Sequence, residues 1–276
     1  GEIGLMSKNI NEFLSFIDSS PTAFHAVSNI ADLLDKEGFK KLSESEPWDI
    51  KKGGKYYVCR NSTSIAAVKI GKKLDTYSFN IAASHSDSPN FKIKENAELS
   101  VRDKYIQLNT EGYGGMIAST WLDRPLSVAG RVMVKNKNKY ESRLVNIDRD
   151  LVLIPNLAIH MNRKVNEGIA LNKQIDMLPL FSAGDRKKDA FKALIASELK
   201  VSKSDIYGSD LYLYNRMKSS VWGENSEFFS APRIDNLECA FTSLKGFIKG
   251  ANESNIQVYT CFDNEEVGSE TKQGAA

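Results

Sequence analysis

The 276-residue sequence predicts an α/β protein interrupted by a mostly β insertion. Three observations carry this reading. An amphipathic helix and three closely spaced strands precede residue 90. Helical periodicity is then lost, and short alternating strands take over from Lys92 to about Arg149. A helix and an apolar strand return after residue 235. The expected division is an α/β domain from residues 1–90 and 224–276, with a β-rich region at 91–223.

Taken in order, "SPTAFHAVSNIADLLDKEGF" predicts a helix. Ser20 is the expected cap, Pro21 suits the first turn, and Gly38 is the expected stop. Phe24, Val27, Ile30, Leu33 and Leu34 fall on one face. "KYYVCR", "SIAAVKIG" and "YSFNIAAS" follow as strands, rich in β-branched and aromatic residues. The insertion opens with "YIQLNT", "LSVAGRVMVK" and "YESRLVNI", again strands. "KKDAFKALIASEL" predicts a helix and "SDLYLYNR" a strand. "NLECAFTSLKGFIKG" (helix) and "NIQVYTCF" (strand) restore the α/β pattern. Gly268 permits a tight turn into a further helix over Gly268–Ala276. Met6 is the expected natural start of the chain.

Composition narrows the function classes. A hydrophobic content of 41% and a charged content of 26% are those of an ordinary globular protein. A formal net charge of +2 argues for neither a nucleic-acid partner nor a membrane surface. No apolar run reaches the roughly 18 residues of a transmembrane candidate. Three widely spaced cysteines, Cys59, Cys239 and Cys261, fit a reducing compartment, and so a cytoplasmic location, better than a disulfide scaffold. They form no Cys-x-x-Cys zinc knuckle.

The segment "NIAASHSDSPNFKIK" ends an apolar strand on His85, one of only three histidines, with Asp87 two residues on. Glu265 and Glu266 likewise follow the apolar strand ending at Phe262, and Asp235 precedes a helix that begins near Leu237. Ligands of open α/β sheets gather outside the carboxyl ends of strands, so His and Glu converge on one expected edge. Imidazole and carboxylate both suit zinc, and a carboxylate can bridge two ions. Asp87 can hold the other nitrogen of the His85 ring. One of two adjacent glutamates can bind metal while the other serves as general base. Simpler readings stand beside these: His85-x-Asp87 as a capped loop end, Asp235 as an N-cap, and Glu265-Glu266 as solvated surface.

Other features carry less. His25 lies beside the apolar stripe of its helix and reads as a core-edge histidine. His160 has no partner nearby in sequence, so a structural role is its default. Lys187-Lys188 reads as a solvated face. "EGYGG" lacks the spacing and context of a dinucleotide fingerprint. There is no Gly-x-Ser-x-Gly elbow, and no cysteine has a histidine near it in sequence, so nucleophilic catalysis is poorly supported.

The same clusters sit inside six stretches that occur in a fixed order: "SPTAFHAV", "SHSDSPNFKIK", "GYGG" with "TWLDRPLSVAGRV", "IPNLAIHMNR", "SAPRIDNLECAF" and "DNEEVGSETKQGA". Together they resemble the aspartyl aminopeptidase and vacuolar aminopeptidase I family of dinuclear zinc metallopeptidases, from about Phe13 to Ala276. The resemblance implies a zinc-exopeptidase-like α/β domain with a central mixed sheet, and an inserted dimerisation domain. His85 resembles the histidine ligand of one metal, and Asp87 the residue that orients it. Asp235 resembles the carboxylate that bridges two metals, Glu265 the general base, and Glu266 a ligand of the other metal. His160 resembles a histidine that reaches the active site of a neighbouring subunit.

Zinc is the implied cofactor, two ions per complete subunit, with cobalt or manganese as substitutes. The implied partners are peptide substrates and further copies of the chain, as dimers assembling into a dodecamer. Family members continue well past "KQGA", and the continuation carries further ligands. The expectation is therefore a metal-dependent aminopeptidase that removes amino-terminal residues, with a preference for Asp or Glu, from peptides by metal-activated water. A related aminopeptidase of broader specificity is one alternative. A non-catalytic oligomeric assembly protein, or an inactive fragment, with an incomplete metal site is the other.

Overall fold

A computed structural model describes residues 2–184, 188–251 and 253–275, with side chains from residue 8 onward. Lys187, the Ala276 end of the expected last helix, and side chains around Met6 fall outside the described residues. In chain order the elements are α1 (Glu2–Asp18), α2 (Ala23–Lys36), β1 (Lys40–Lys41), β2 (Lys55–Arg60), β3 (Ser64–Ile70), β4 (Phe79–His85), β5 (Asn90–Val101), β6 (Tyr105–Tyr113), β7 (Leu126–Asn136), β8 (Lys139–Asn146), β9 (Leu180–Ala183), α3 (Ala190–Leu199), β10 (Ile206–Asn215), β11 (Ser220–Trp222), β12 (Phe228–Ser230), α4 (Ile234–Lys249) and β13 (Ile256–Phe262). They form two compact units. One runs to Ser88 and resumes at Lys218, and the other is Pro89–Met217.

The first unit is built on a five-stranded mixed sheet of order β1-β2-β3-β13-β4. Pairing is parallel for β1 with β2 and for β13 with β4, and antiparallel for β2 with β3 and for β3 with β13. Helices α1, α2 and α4 supply Phe13, Ile17, Ile30, Leu34, Leu237 and Leu244 to one core with Tyr57, Ile65, Ala67, Tyr259 and Cys261 of the sheet. Burying each large apolar side chain contributes about 1.5–3 kcal/mol relative to leaving it exposed. Strand periodicity then places Val58, Val68, Ile81 and Val258 on the opposite face of this sheet.

Two local expectations need correcting. The cap of α2 is Thr22, not Ser20: its backbone is extended (φ −139, ψ 166) and its hydroxyl accepts the His25 N–H at 3.4 Å. Ser20 instead donates its hydroxyl to Phe16 O at 2.7 Å, closing the end of α1. The described residues after Gly268 form no helix. Asn264 (φ +61), Gly268 (φ +104) and Ser269 (φ +59) are all left-handed, and the Ser269 N–H returns to Asn264 O at 2.7 Å. The chain therefore folds back on a 3₁₀ turn, and left-handed residues do not propagate a right-handed helix.

The second unit is a six-stranded antiparallel sheet of order β8-β7-β10-β5-β6-β9. Phe91, Leu108, Val128, Val132, Leu211 and Leu213 form its core, closed by Phe191 and Ile195 of α3. Gly130 of β7 lies opposite Leu211 of β10: a Cβ there would lie 2.0 Å from Asp210 O, and its φ is +155. Only glycine fits that approach.

Candidate metal centre

Parallel pairing sets the site. Phe262, the last residue of β13, lies opposite His85, the last residue of β4. The carboxyl ends of the two strands therefore finish side by side, where ligands of α/β sheets collect. Beyond β13, the left-handed Asn264 swings the chain into a 3₁₀ turn at Glu265–Val267, which presents both glutamates. The third contributor is the start of α4. Asp235 (φ −80, ψ 109) and Asn236 (φ −120, ψ 23) depart from helical backbone, so regular helix begins at Leu237.

At this edge His85, Asp235 and Glu266 each offer a ligand atom, and the three atoms lie within 4.8 Å of one another. His85 Nε2 is 3.3 Å from Asp235 Oδ1 and 3.5 Å from Glu265 Oε2. On the other side of the ring, His85 Nδ1 donates to Asp87 Oδ1 at 3.2 Å and to Asp87 O at 3.0 Å. This holds a proton on Nδ1 and leaves Nε2 as the atom that can bind a metal.

Asp87 is 4% exposed. Its Oδ1 also accepts the Glu265 N–H at 3.3 Å, and its Oδ2 accepts the Glu266 N–H at 3.1 Å. One buried carboxylate thus fixes the imidazole and the turn that carries both glutamates. It is itself held by charge-assisted hydrogen bonds.

The electrostatics match a cation site. Burial opposes charge on His85, but the hydrogen bond and charge of Asp87, with Glu265 behind them, outweigh it and lift its pKa from 6.5 to about 9. Glu266 is raised by burial first, then by the negative charges of Asp87, Asp235 and Glu265. Several carboxyls crowd one imidazole here, and a divalent cation relieves their repulsion. The donor set of one imidazole nitrogen and two carboxylates suits zinc.

The stretch Ser84–Ser88 alternates serine with ligand-type residues. Ser84, Ser86 and Ser88 are all buried. Ser84 donates to Thr260 O at 3.1 Å, Ser86 to Thr63 O at 2.6 Å, and Ser88 to Asp235 O at 3.0 Å.

All five residues singled out in the sequence on this unit, His85, Asp87, Asp235, Glu265 and Glu266, meet at one place. His160 belongs to the other unit, exposed in a short 3₁₀ turn at Ile159–Met161. Two features went unnoticed in the sequence: the bonds from Asp87 to the glutamate amides, and the serine alternation. The second was visible as a period of two in "SHSDS".

Residues 16–276 match the family described as aminopeptidase I zinc metalloprotease (M18). The chain belongs to the M18 family. A probable M18 family aminopeptidase 2 from Clostridium novyi is 48% identical over 274 residues, covering 97% of this chain and 63% of that protein. Among solved M18-like folds, the chain in the structure of the Ape4 and Nbr1 complex superposes with a TM-score of 0.93 at 35% identity, covering 97% of this chain and 56% of that one. The S. cerevisiae mApe1 dodecamer superposes at 0.81 with 30% identity, covering 96% of this chain and 62% of that one. The chain therefore spans somewhat under two thirds of these relatives' lengths. Among the described residues no helix is long and apolar enough to cross a membrane.

Proposed function

We propose that this M18 chain serves a cytoplasmic, zinc-dependent aminopeptidase that removes amino-terminal residues, preferentially Asp or Glu, from peptides. The observation that carries the reading is the convergence of His85, Asp235 and Glu266, with Glu265 beside them and Asp87 behind. His85, Asp235 and Glu266 would hold the metal, Asp235 as the bridge between two ions. Zinc supplies Lewis acidity and lowers the pKa of water, and cobalt or manganese can replace it. Glu265 accepts the proton of the attacking water and returns it to the leaving amine. Its carboxylate suits that task because 57% of the side chain is exposed while its backbone is tied to Asp87. Asp87 keeps the His85 ring oriented. The carboxylates also attract the free amino group of a substrate, which favours removal of a terminal residue over internal cleavage. The acidic preference rests on the resemblance of the motifs to aspartyl aminopeptidases.

The inserted unit is proposed as the dimerisation domain of a homo-oligomer that assembles further into a dodecamer. His160 then acts from a neighbouring subunit. The S. cerevisiae relative described as a dodecamer supports this part.

A non-catalytic assembly protein is the second reading. It is favoured by one observation: the cluster among the described residues offers three ligands, and two ions need more. One experiment separates the two. Metal content is measured beside release of the first residue from Asp-, Glu- and Leu-initiated peptides. Bound zinc with faster release of Asp or Glu sustains the proposal. Uniform release points to broader specificity, and no release with intact assembly supports the second reading.

A further inference from the structure

We propose that Ser88 is a positioning residue for Asp235 in the metal centre. The inference rests on the metal-binding reading of His85, Asp235 and Glu266 given above. Asp235 is the least constrained of the three ligands: 84% of its side chain is exposed, against 13% for His85. Its own backbone is not helical, so α4 does not by itself aim the carboxylate. Its backbone is tied to the rest of the site by the Ser88 hydroxyl, which donates to Asp235 O at 3.0 Å across 147 residues of sequence.

Ser88 is 8% exposed, so the donor side of this part-buried bond is largely withdrawn from competing water. It lies three residues from His85 and next to Asp87, in the segment just past the strand end that carries His85. That end is fastened to its surroundings by Ser84 and Ser86 through Thr260 O, Thr63 O and Phe262 O. Ser88 therefore sets the α4 start in register with His85 and Asp87. The 3.3 Å approach of Asp235 Oδ1 to His85 Nε2 depends on that register. Ligand sites lose function when supporting residues let a ligand drift by a fraction of an ångström.

The test is cobalt(II) titration of the full chain, followed by its visible spectrum and by equilibrium dialysis. Ser88→Ala is compared with Ser88→Thr, which keeps the hydroxyl, and Ser88→Cys, a weaker donor of similar size. Ser127→Ala is the control. It removes a fully buried hydroxyl, bonded to Ile147 O at 2.6 Å in the other unit. Ser88→Ala is expected to weaken cobalt binding about tenfold or more and to change the ligand-field bands. Ser88→Thr should restore both, Ser88→Cys should fall between, and Ser127→Ala should change neither. Cobalt binding and spectra unchanged in Ser88→Ala, with the unsubstituted chain binding normally, would overturn the inference alone. Absence of cobalt binding by the unsubstituted chain would overturn the metal reading and this inference with it. If Ser88→Ala does not fold, Ser88→Cys decides: binding equal to that of the unsubstituted chain counts against the proposal.

Discussion

The Asp87 carboxylate accepts the Glu266 N–H at 3.1 Å while holding the His85 ring at 3.2 Å. Two candidate ligands 181 residues apart in sequence therefore share one buried anchor. Removing that anchor acts on both at once.

Asp87→Ala is accordingly expected to weaken zinc binding by about 10–100-fold, the usual effect of losing an outer partner of a ligating histidine. Asp87→Glu should recover little, because a longer side chain cannot keep three acceptor contacts in the same buried space. Competition against a chromophoric chelator measures both. Affinities within twofold of the unsubstituted chain would contradict the anchor role.

Glu265 and Glu266 are neighbours with different environments, so their substitutions should separate. Glu265→Gln is expected to keep metal content and to lower turnover by about 10²–10⁴-fold, since it removes a base and not a ligand. Glu266→Gln should lower metal stoichiometry itself. Metal analysis beside peptide hydrolysis gives both readouts. Loss of metal in Glu265→Gln with retention in Glu266→Gln would reverse the assignment.

The residues of the candidate site were legible because each stands where an apolar run stops or starts: His85 at the end of β4, Glu265 after β13, Asp235 before regular α4. Periodicity finds such ends, and sheet topology then brings them together. The cap of α2 was misread because Ser20 and Thr22 are both good caps, and only backbone geometry shows that Ser20 closes α1. α1 itself escaped the reading, although Phe13, Phe16 and Ile17 fill the core beneath α4. The Asp87 contacts to the glutamate turn could not be read from sequence, because they join segments 178 and 179 residues apart through backbone amides.

The inserted unit has its own core and still exposes Leu157, Ile159 and Met161 around His160. Exposed apolar side chains grouped in this way mark interaction surfaces. Residues 89–217 alone are expected to dimerise at high micromolar concentration, measured by light scattering. His160→Ala in the assembled protein should lower turnover and leave metal content unchanged. A monomer across that concentration range, or metal loss in His160→Ala, would count against the shared-site proposal.

His25 predicts a pH-dependent stability that owes nothing to metal. Burial first, and the positive charge of Arg233 second, depress its pKa from 6.5 to about 4. Its Nδ1 lies 2.8 Å from the Thr22 hydroxyl at the α2 cap, in a place that favours the neutral ring. Below pH 6.5 the unfolded chain binds a proton that the folded chain refuses, so stability is complete above that pH and declines as pH falls toward 4. The interval corresponds to at most about 3 kcal/mol, of which about 2 kcal/mol is lost by pH 5. His25→Gln removes the titrating group and keeps a polar side chain. Urea unfolding at pH 7.5 and pH 5.0 should show the unsubstituted chain losing about 2 kcal/mol more than the variant over that interval. Equal losses would mean that the folded protein accommodates a charged His25 ring.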